Sequence, residues 1–143
     1  NKREMMAADE GYQKFYSAYA NEYRRLSRAD PNETTLADLW DREPLYEAYR
    51  EGLDPLYVAA QACDERNQTK ETFENFESYH SAFLRELARY AHDAQTFEQW
   101  VQTLDLSGVR TAFAEVWHPR RAAYGYYRFK TRELHGKVPA PVR

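Results

Sequence analysis

The spacing of apolar residues is the feature that most constrains this fold. Over residues 3–28, apolar and aromatic side chains recur every three or four positions, which places them on one face of a helix. They are Met5, Ala8, Tyr12, Phe15, Tyr16, Tyr19, Tyr23 and Leu26. No stretch alternates apolar and polar residues for long, and β-branched residues are scarce. The pattern therefore predicts an all-α protein.

The 5 Gly and 6 Pro residues lie where helices would begin or end. Asp54 followed by Pro55 has the form of an N-cap and a first helical residue, and Gly52 suits the end of the helix before it. Thr96 with Gln99 resembles a capping box, and Pro119 begins a final helix. The predicted helices include segments near 3–28, 35–40, 70–93, 106–118 and 119–135.

At 143 residues the chain is long enough for one core without disulfides. We predict a single-domain, irregular helical bundle of five to seven helices over residues 1–136. The Pro-rich, basic segment 137–143 is predicted to form an extended tail.

Cysteine usage and hydropathy suggest the compartment. The single cysteine, Cys63, excludes an intramolecular disulfide, which favours a reducing, intracellular compartment. No apolar run is long enough to predict a membrane span. The cytoplasm is the favoured location, and because the chain begins with Asn, a processed organellar form stays open.

The charge of the chain changes sign near residue 110. Residues 110–143 hold eight basic residues against two acids, a net charge of +6, whereas residues 1–109 hold 12 basic and 21 acidic residues, a net charge of −9. Six aromatic residues lie within the basic part: Phe113, Trp117, Tyr124, Tyr126, Tyr127 and Phe129. A basic, aromatic-rich terminus suits an anionic partner, and it equally suits the acidic part of the same chain.

The predicted final helix concentrates this charge on one side. Arg121, Arg128 and Arg132 fall within about 40° of one another on a helical wheel, with Tyr124 beside them. Lys137 extends the basic stripe into the tail. Since guanidinium groups form forked hydrogen bonds to carboxylates and phosphates, these five residues are the predicted partner-binding site.

Three functional hypotheses follow. We favour a non-enzymatic interaction module, a small subunit or adaptor, that docks an acidic protein surface; an oligomer is also open. The first alternative is a nucleic-acid-binding accessory protein, in which Tyr124 would stack on an unpaired base, although the overall pI of about 5.8 counts against it. In either case no cofactor is expected.

The second alternative is a metal-dependent helical enzyme. Glu77–His80 and Glu115–His118 share a Glu-x-x-His spacing that is similar to that of ferritin-like di-iron proteins. That resemblance would make Glu77 and His80 metal ligands. The helical wheel, however, points His80 inward and His118 outward, so the two pairs are not expected to converge. We predict His118 at a helix C-terminus, where a protonated imidazole is favoured.

Overall fold

The computed structural model describes residues 2–28 and 42–135. These ranges contain eight helices and no strand, which confirms the all-α class and the irregular bundle. The predicted turn near 35–40 and the predicted tail 137–143 lie outside the described residues. The helices are α1 (Lys2–Ala8), α2 (Glu10–Leu26), α3 (Arg42–Arg50), α4 (Pro55–Glu65), α5 (Phe76–Ala88), α6 (Ala94–Gln102), α7 (Leu106–Ala114) and α8 (Pro119–His135).

The chain divides into two compact units with a boundary between Lys70 and Glu71. Helices α1 to α4 belong to the N-terminal unit, and α5 to α8 belong to the C-terminal unit. Each unit has its own hydrophobic core. The organisation as a single domain remains a prediction.

The N-terminal unit is built around the pairing of α2 with α4. Small residues on α4 (Ala59, Ala60 and Cys63) are fully buried, and they allow the tyrosine-rich face of α2 to approach closely. Burial raises the pKa of the Cys63 thiol to about 12. Cys63 is therefore a core residue that stays protonated at neutral pH, and its thiol is inert.

The predicted helix over 3–28 is two helices, α1 and α2, separated at Asp9. The Asp9 carboxylate accepts a hydrogen bond of 3.0 Å from the Tyr12 backbone N–H, and so it caps α2. The Tyr49 hydroxyl, on α3, donates to the same oxygen at 2.9 Å. A side chain that satisfies an orphan N–H at this point favours a new helix start over continuation of α1.

The C-terminal unit is built around the pairing of α5 with α8, with α7 and α6 packed beside them. Its core holds Tyr79, Phe83, Leu87, Trp100, Val109, Ala112 and Ala123. Two predicted helices are shorter than expected. Asn75 caps α5, so the helix predicted over 70–93 begins only at Phe76, and Val116, with a φ of 62°, lies beyond the end of α7.

Aspartate carboxylates cap four of the described helices: Asp9, Asp54, Asp93 and Asp105. The predicted start at Asp54–Pro55 and the left-handed Gly52 are confirmed. The predicted capping box is wrong, because Thr96 does not cap α6; its backbone N–H instead donates to Asp93 at 2.7 Å. An aspartate three residues upstream offers a charged acceptor, and this outweighs the neutral threonine hydroxyl.

Three of these caps should make the protein sensitive to acid. Hydrogen bonds, chiefly from the Tyr12 and Thr96 backbones and the Ser107 side chain, lower the pKa values of Asp9, Asp93 and Asp105. A carboxyl group whose pKa is lower in the folded state than in the unfolded state stabilises the fold at pH values above its unfolded pKa. This contribution to stability is lost as the pH falls through the pKa of the folded state. Unfolding in urea between about pH 5 and about pH 2 should therefore show falling stability. Replacing the three by Asn should flatten this slope, and an equal slope in that variant would contradict the assignment.

Gly11 should resist replacement because of the Tyr49 hydroxyl. A Cβ at Gly11 would lie 2.3 Å from that oxygen. Although Ala is the better helix former by about 1 kcal/mol, Gly11→Ala should destabilise the protein by about 1–2 kcal/mol in urea unfolding, since the tyrosine must move and release Asp9. In a Tyr49→Phe background the same change should cost much less. An identical cost in both backgrounds would exclude the hydroxyl as the cause.

Candidate functional site

The predicted final helix is present as α8, and His118 caps its N-terminus. The His118 side chain is only 4% exposed; its Nδ1 accepts a 3.1 Å hydrogen bond from the Arg120 backbone N–H, and its Nε2 lies 2.9 Å from a Glu71 carboxylate oxygen. Because Nδ1 is an acceptor, the ring proton lies on Nε2, which donates to Glu71. The predictions of a helix C-terminal role and of an outward direction for His118 are both wrong, since α7 already ends at Ala114.

Arg120 fixes the start of α8 to α5. The residue is 3% exposed, and its Nε donates a 2.8 Å hydrogen bond to Glu86, which also lies 3.5 Å from Arg89. This basic residue is neutralised within the fold. Helical spacing carries a signal for this burial, because Arg120 shares its side of α8 with Ala123, Tyr124 and Tyr127, which are buried or half-buried in the unit.

Tyr124 lies on the buried side of α8. It is fully buried, and its ring centroid lies 5.1 Å from that of Tyr90 and 5.8 Å from that of Tyr127. The ring therefore cannot stack on a base or touch a partner directly. The Arg128 guanidinium lies over this ring, 5.8 Å from its centroid.

The adjacent side of α8 carries Arg121, Gly125, Arg128 and Phe129, which together we call the α8 face. The Arg121 guanidinium lies 3.9 Å from the centroid of the Trp117 ring. Phe129 is 55% exposed, and Gly125 is exposed with open space where a Cβ would stand. The α8 face thus combines two cations held on aromatic rings with an exposed apolar ring and a gap.

The Arg128 guanidinium is not fully satisfied by the fold. Its Nε is buried, and it has no hydrogen-bond acceptor among residues 2–28 and 42–135. The Arg132 backbone continues α8 one turn further, but its side chain and the whole of Lys137 lie outside the described part of the chain. Of the four predicted basic site residues, Arg121 and Arg128 have described side chains, and both lie on the α8 face, as helical spacing predicts.

The Glu-x-x-His pairs do not form a metal site in the described structure. Glu77 is exposed, whereas the half-buried His80 ring stacks on Phe76 with a centroid distance of 5.5 Å. Glu115 is exposed and His118 is buried. Throughout the described ranges, no three His, Cys, Asp or Glu side chains lie close enough together to hold a metal ion.

A groove of about 500 Å3 lies between α6 and α8. The Lys130 ammonium group, on the side of α8 away from Arg121, donates to the Thr103 hydroxyl at its rim at 3.1 Å. A smaller cavity of about 260 Å3 lies in the N-terminal unit beside Tyr19 and Arg66.

Comparison with protein-family models, curated proteins and solved structures gives no match. Within the ranges that the structure describes, no helix is both long and apolar enough to cross a membrane. Functional inference therefore depends on the α8 face itself.

The contribution of the His118 cap to the free energy of unfolding should be measurable. His118→Ala removes the acceptor for the Arg120 N–H and the partner of Glu71, so it should lower the free energy of unfolding by about 1–3 kcal/mol. His118→Asn supplies a side-chain oxygen suited to the N-cap position and should recover about 1 kcal/mol of that loss. Equal stability of the two variants in urea unfolding would show that capping is not the role of this side chain.

Proposed function

We propose that this protein is a non-enzymatic interaction module, a small subunit or adaptor, that docks an acidic protein surface through the α8 face. The observation that carries the proposal is the pair of half-buried cations on α8, Arg121 and Arg128, with the exposed Phe129 ring beside them. Arginine and aromatic residues are enriched where proteins bind one another.

The aromatic rings that contact the two guanidinium groups favour binding of an acidic partner. Each guanidinium lies over a ring of the same unit, Arg121 over Trp117 and Arg128 over Tyr124. Cation–π contacts restrict a long side chain while leaving the edge N–H groups able to donate to carboxylates. Less side-chain entropy is then lost on binding, which increases affinity for a given set of contacts.

The distribution of charge supports the same proposal. Residues 110–143 have a net charge of +6 in a chain whose total is −3. One end of the polypeptide can thus attract acidic surfaces that the remainder would repel, and this electrostatic difference speeds association and orients the partner. We also propose a reducing intracellular compartment, since Cys63 is the only cysteine of the chain and is buried as a core residue.

Nucleic acid is the second candidate partner, and Phe129 is the observation that favours it. An exposed ring beside arginines could stack on an unpaired base, in the role that the buried Tyr124 cannot fill. The acidic overall pI of about 5.8 makes this candidate the weaker one.

The proposal predicts that binding depends on two particular cations. Titration with fluorescent poly-L-glutamate should show affinity that falls as salt is raised. Arg121→Gln combined with Arg128→Gln should weaken binding about tenfold and reduce the salt dependence. The control Arg110→Gln with Lys130→Gln removes the same charge outside the α8 face, and it should have a much smaller effect.

Three outcomes would count against the proposal. Equal losses in the two double variants would indicate general charge attraction, and no loss in either would remove the α8 face as a docking surface. Tighter binding of single- or double-stranded DNA or RNA, under the same salt conditions and with the same dependence on Arg121 and Arg128, would favour the nucleic-acid candidate instead.

A further inference from the structure

Gly125 lies in the middle of a 17-residue helix, where glycine is a poor choice. Apart from proline, glycine is the least favourable residue in a helix interior, and an exposed position would accept alanine. Among residues 2–28 and 42–135, a Cβ added at Gly125 would meet nothing within 4 Å. The packing of this described part of the chain therefore does not explain why the position lacks a side chain.

The other helical glycines provide the comparison. Gly11 is explained within its own unit, because the Tyr49 hydroxyl occupies the space of a Cβ. Gly108 is as open as Gly125, but it lies in the first turn of α7, near a helix end. Gly125 differs because it lies between Arg121 and Arg128 on the α8 face, one turn from each, and close to the exposed Phe129.

We propose that Gly125 is the point at which an acidic α-helix of a partner crosses α8. This inference depends on the proposed function, because it assigns the shape of the partner that Arg121 and Arg128 attract. Residues at 121, 125, 128 and 129 follow the spacing of the ridges by which helices pack together. A glycine at the crossing point leaves a notch in that ridge, and the two helix axes can then approach closely.

The positions of the charges define the ligand further. Arg121 and Arg128 are seven residues apart, which corresponds to about 10 Å along the helix. A partner helix with two carboxylates at the same spacing would place one beside each guanidinium. An apolar residue between those carboxylates would pack into the notch against the exposed ring of Phe129.

A second copy of this chain fits the notch poorly. A symmetric crossing of two α8 helices at Gly125 would bring the arginines of one copy close to those of the other, and like charges at close range repel. A phosphate backbone would use the charges of the α8 face but would leave Phe129 without an apolar contact. The combination of charges, apolar ring and gap favours an acidic amphipathic helix.

The probe is a synthetic, fluorescein-labelled, alanine-based helix with two glutamates seven residues apart and a leucine midway between them. Its control peptide has glutamine at both glutamate positions. Binding of the full chain is followed by fluorescence anisotropy, and thermal unfolding of each protein variant is measured in parallel. The protein variants are Gly125→Ala, Gly125→Gln, Gly108→Ala and the double variant Arg121→Gln with Arg128→Gln.

Stability and binding should change in opposite directions at Gly125. Gly125→Ala should raise the melting temperature by a few degrees, because alanine favours the helix, yet weaken peptide binding at least about fivefold by filling the notch. Gly125→Gln should weaken binding further. Gly108→Ala should raise the melting temperature without changing binding, and the glutamine peptide should bind the wild type weakly.

The outcomes distinguish a failure of the helix crossing at Gly125 from a failure of the proposed docking function. If the arginine variant loses affinity while both Gly125 variants bind like the wild type, the helix crossing is wrong and the acidic docking surface stands. If the arginine variant binds the peptide like the wild type, the proposed function fails. If the wild type does not bind the acidic helix, the helical partner is excluded. It is also excluded if an oligonucleotide of equal charge displaces the peptide and if binding of that oligonucleotide is itself weakened by Gly125→Ala.

Discussion

The ion pair between the buried Arg120 and the half-buried Glu86 is the interaction on which the candidate site depends. With Arg120 at 3% exposure, its charge needs the 2.8 Å hydrogen bond to Glu86, because a buried ion without a partner is strongly destabilising. Each residue of a helix advances by about 100°, so fixing Arg120 inward determines the direction of every later residue of α8. As a consequence, Tyr124 points inward, Gly125 is exposed, and Arg121 and Arg128 lie half-buried on the α8 face.

Adjacent arginines therefore have opposite roles in one helix. Arg120 completes the core of the C-terminal unit, while the half-buried Arg121 lies over the Trp117 ring. His118 supports this arrangement, since it satisfies the Arg120 backbone N–H at the point where the helix starts. The cap at His118, the ion-paired Arg120 and the contact of Arg121 with Trp117 all lie within residues 117–121, so the geometry of the α8 face is established at the start of the helix.

Local chemistry made much of the fold predictable. Asp54 followed by Pro55, and Pro119, begin helices by mechanisms that act within a few residues, and the structure places helix starts at both. The failures occurred where several polar residues competed for one cap. At Asp93 and Thr96 the sequence offered two candidates, and the stronger acceptor prevailed. At Asp9 the cap is reinforced by Tyr49, forty residues further on, and no local pattern reveals such a contact.

The amino-acid sequence by itself determined the helical class, the position of the last helix and the alignment of Arg121 with Arg128, because helical periodicity depends only on spacing along the chain. Only the tertiary structure decided how deeply each residue of that helix is buried. The wheel places Tyr124 beside the arginines, but only packing against Tyr90 shows that its ring is inside. Burial depends on partners from distant segments, so the accessible part of the candidate site, including the gap at Gly125, became visible only in three dimensions.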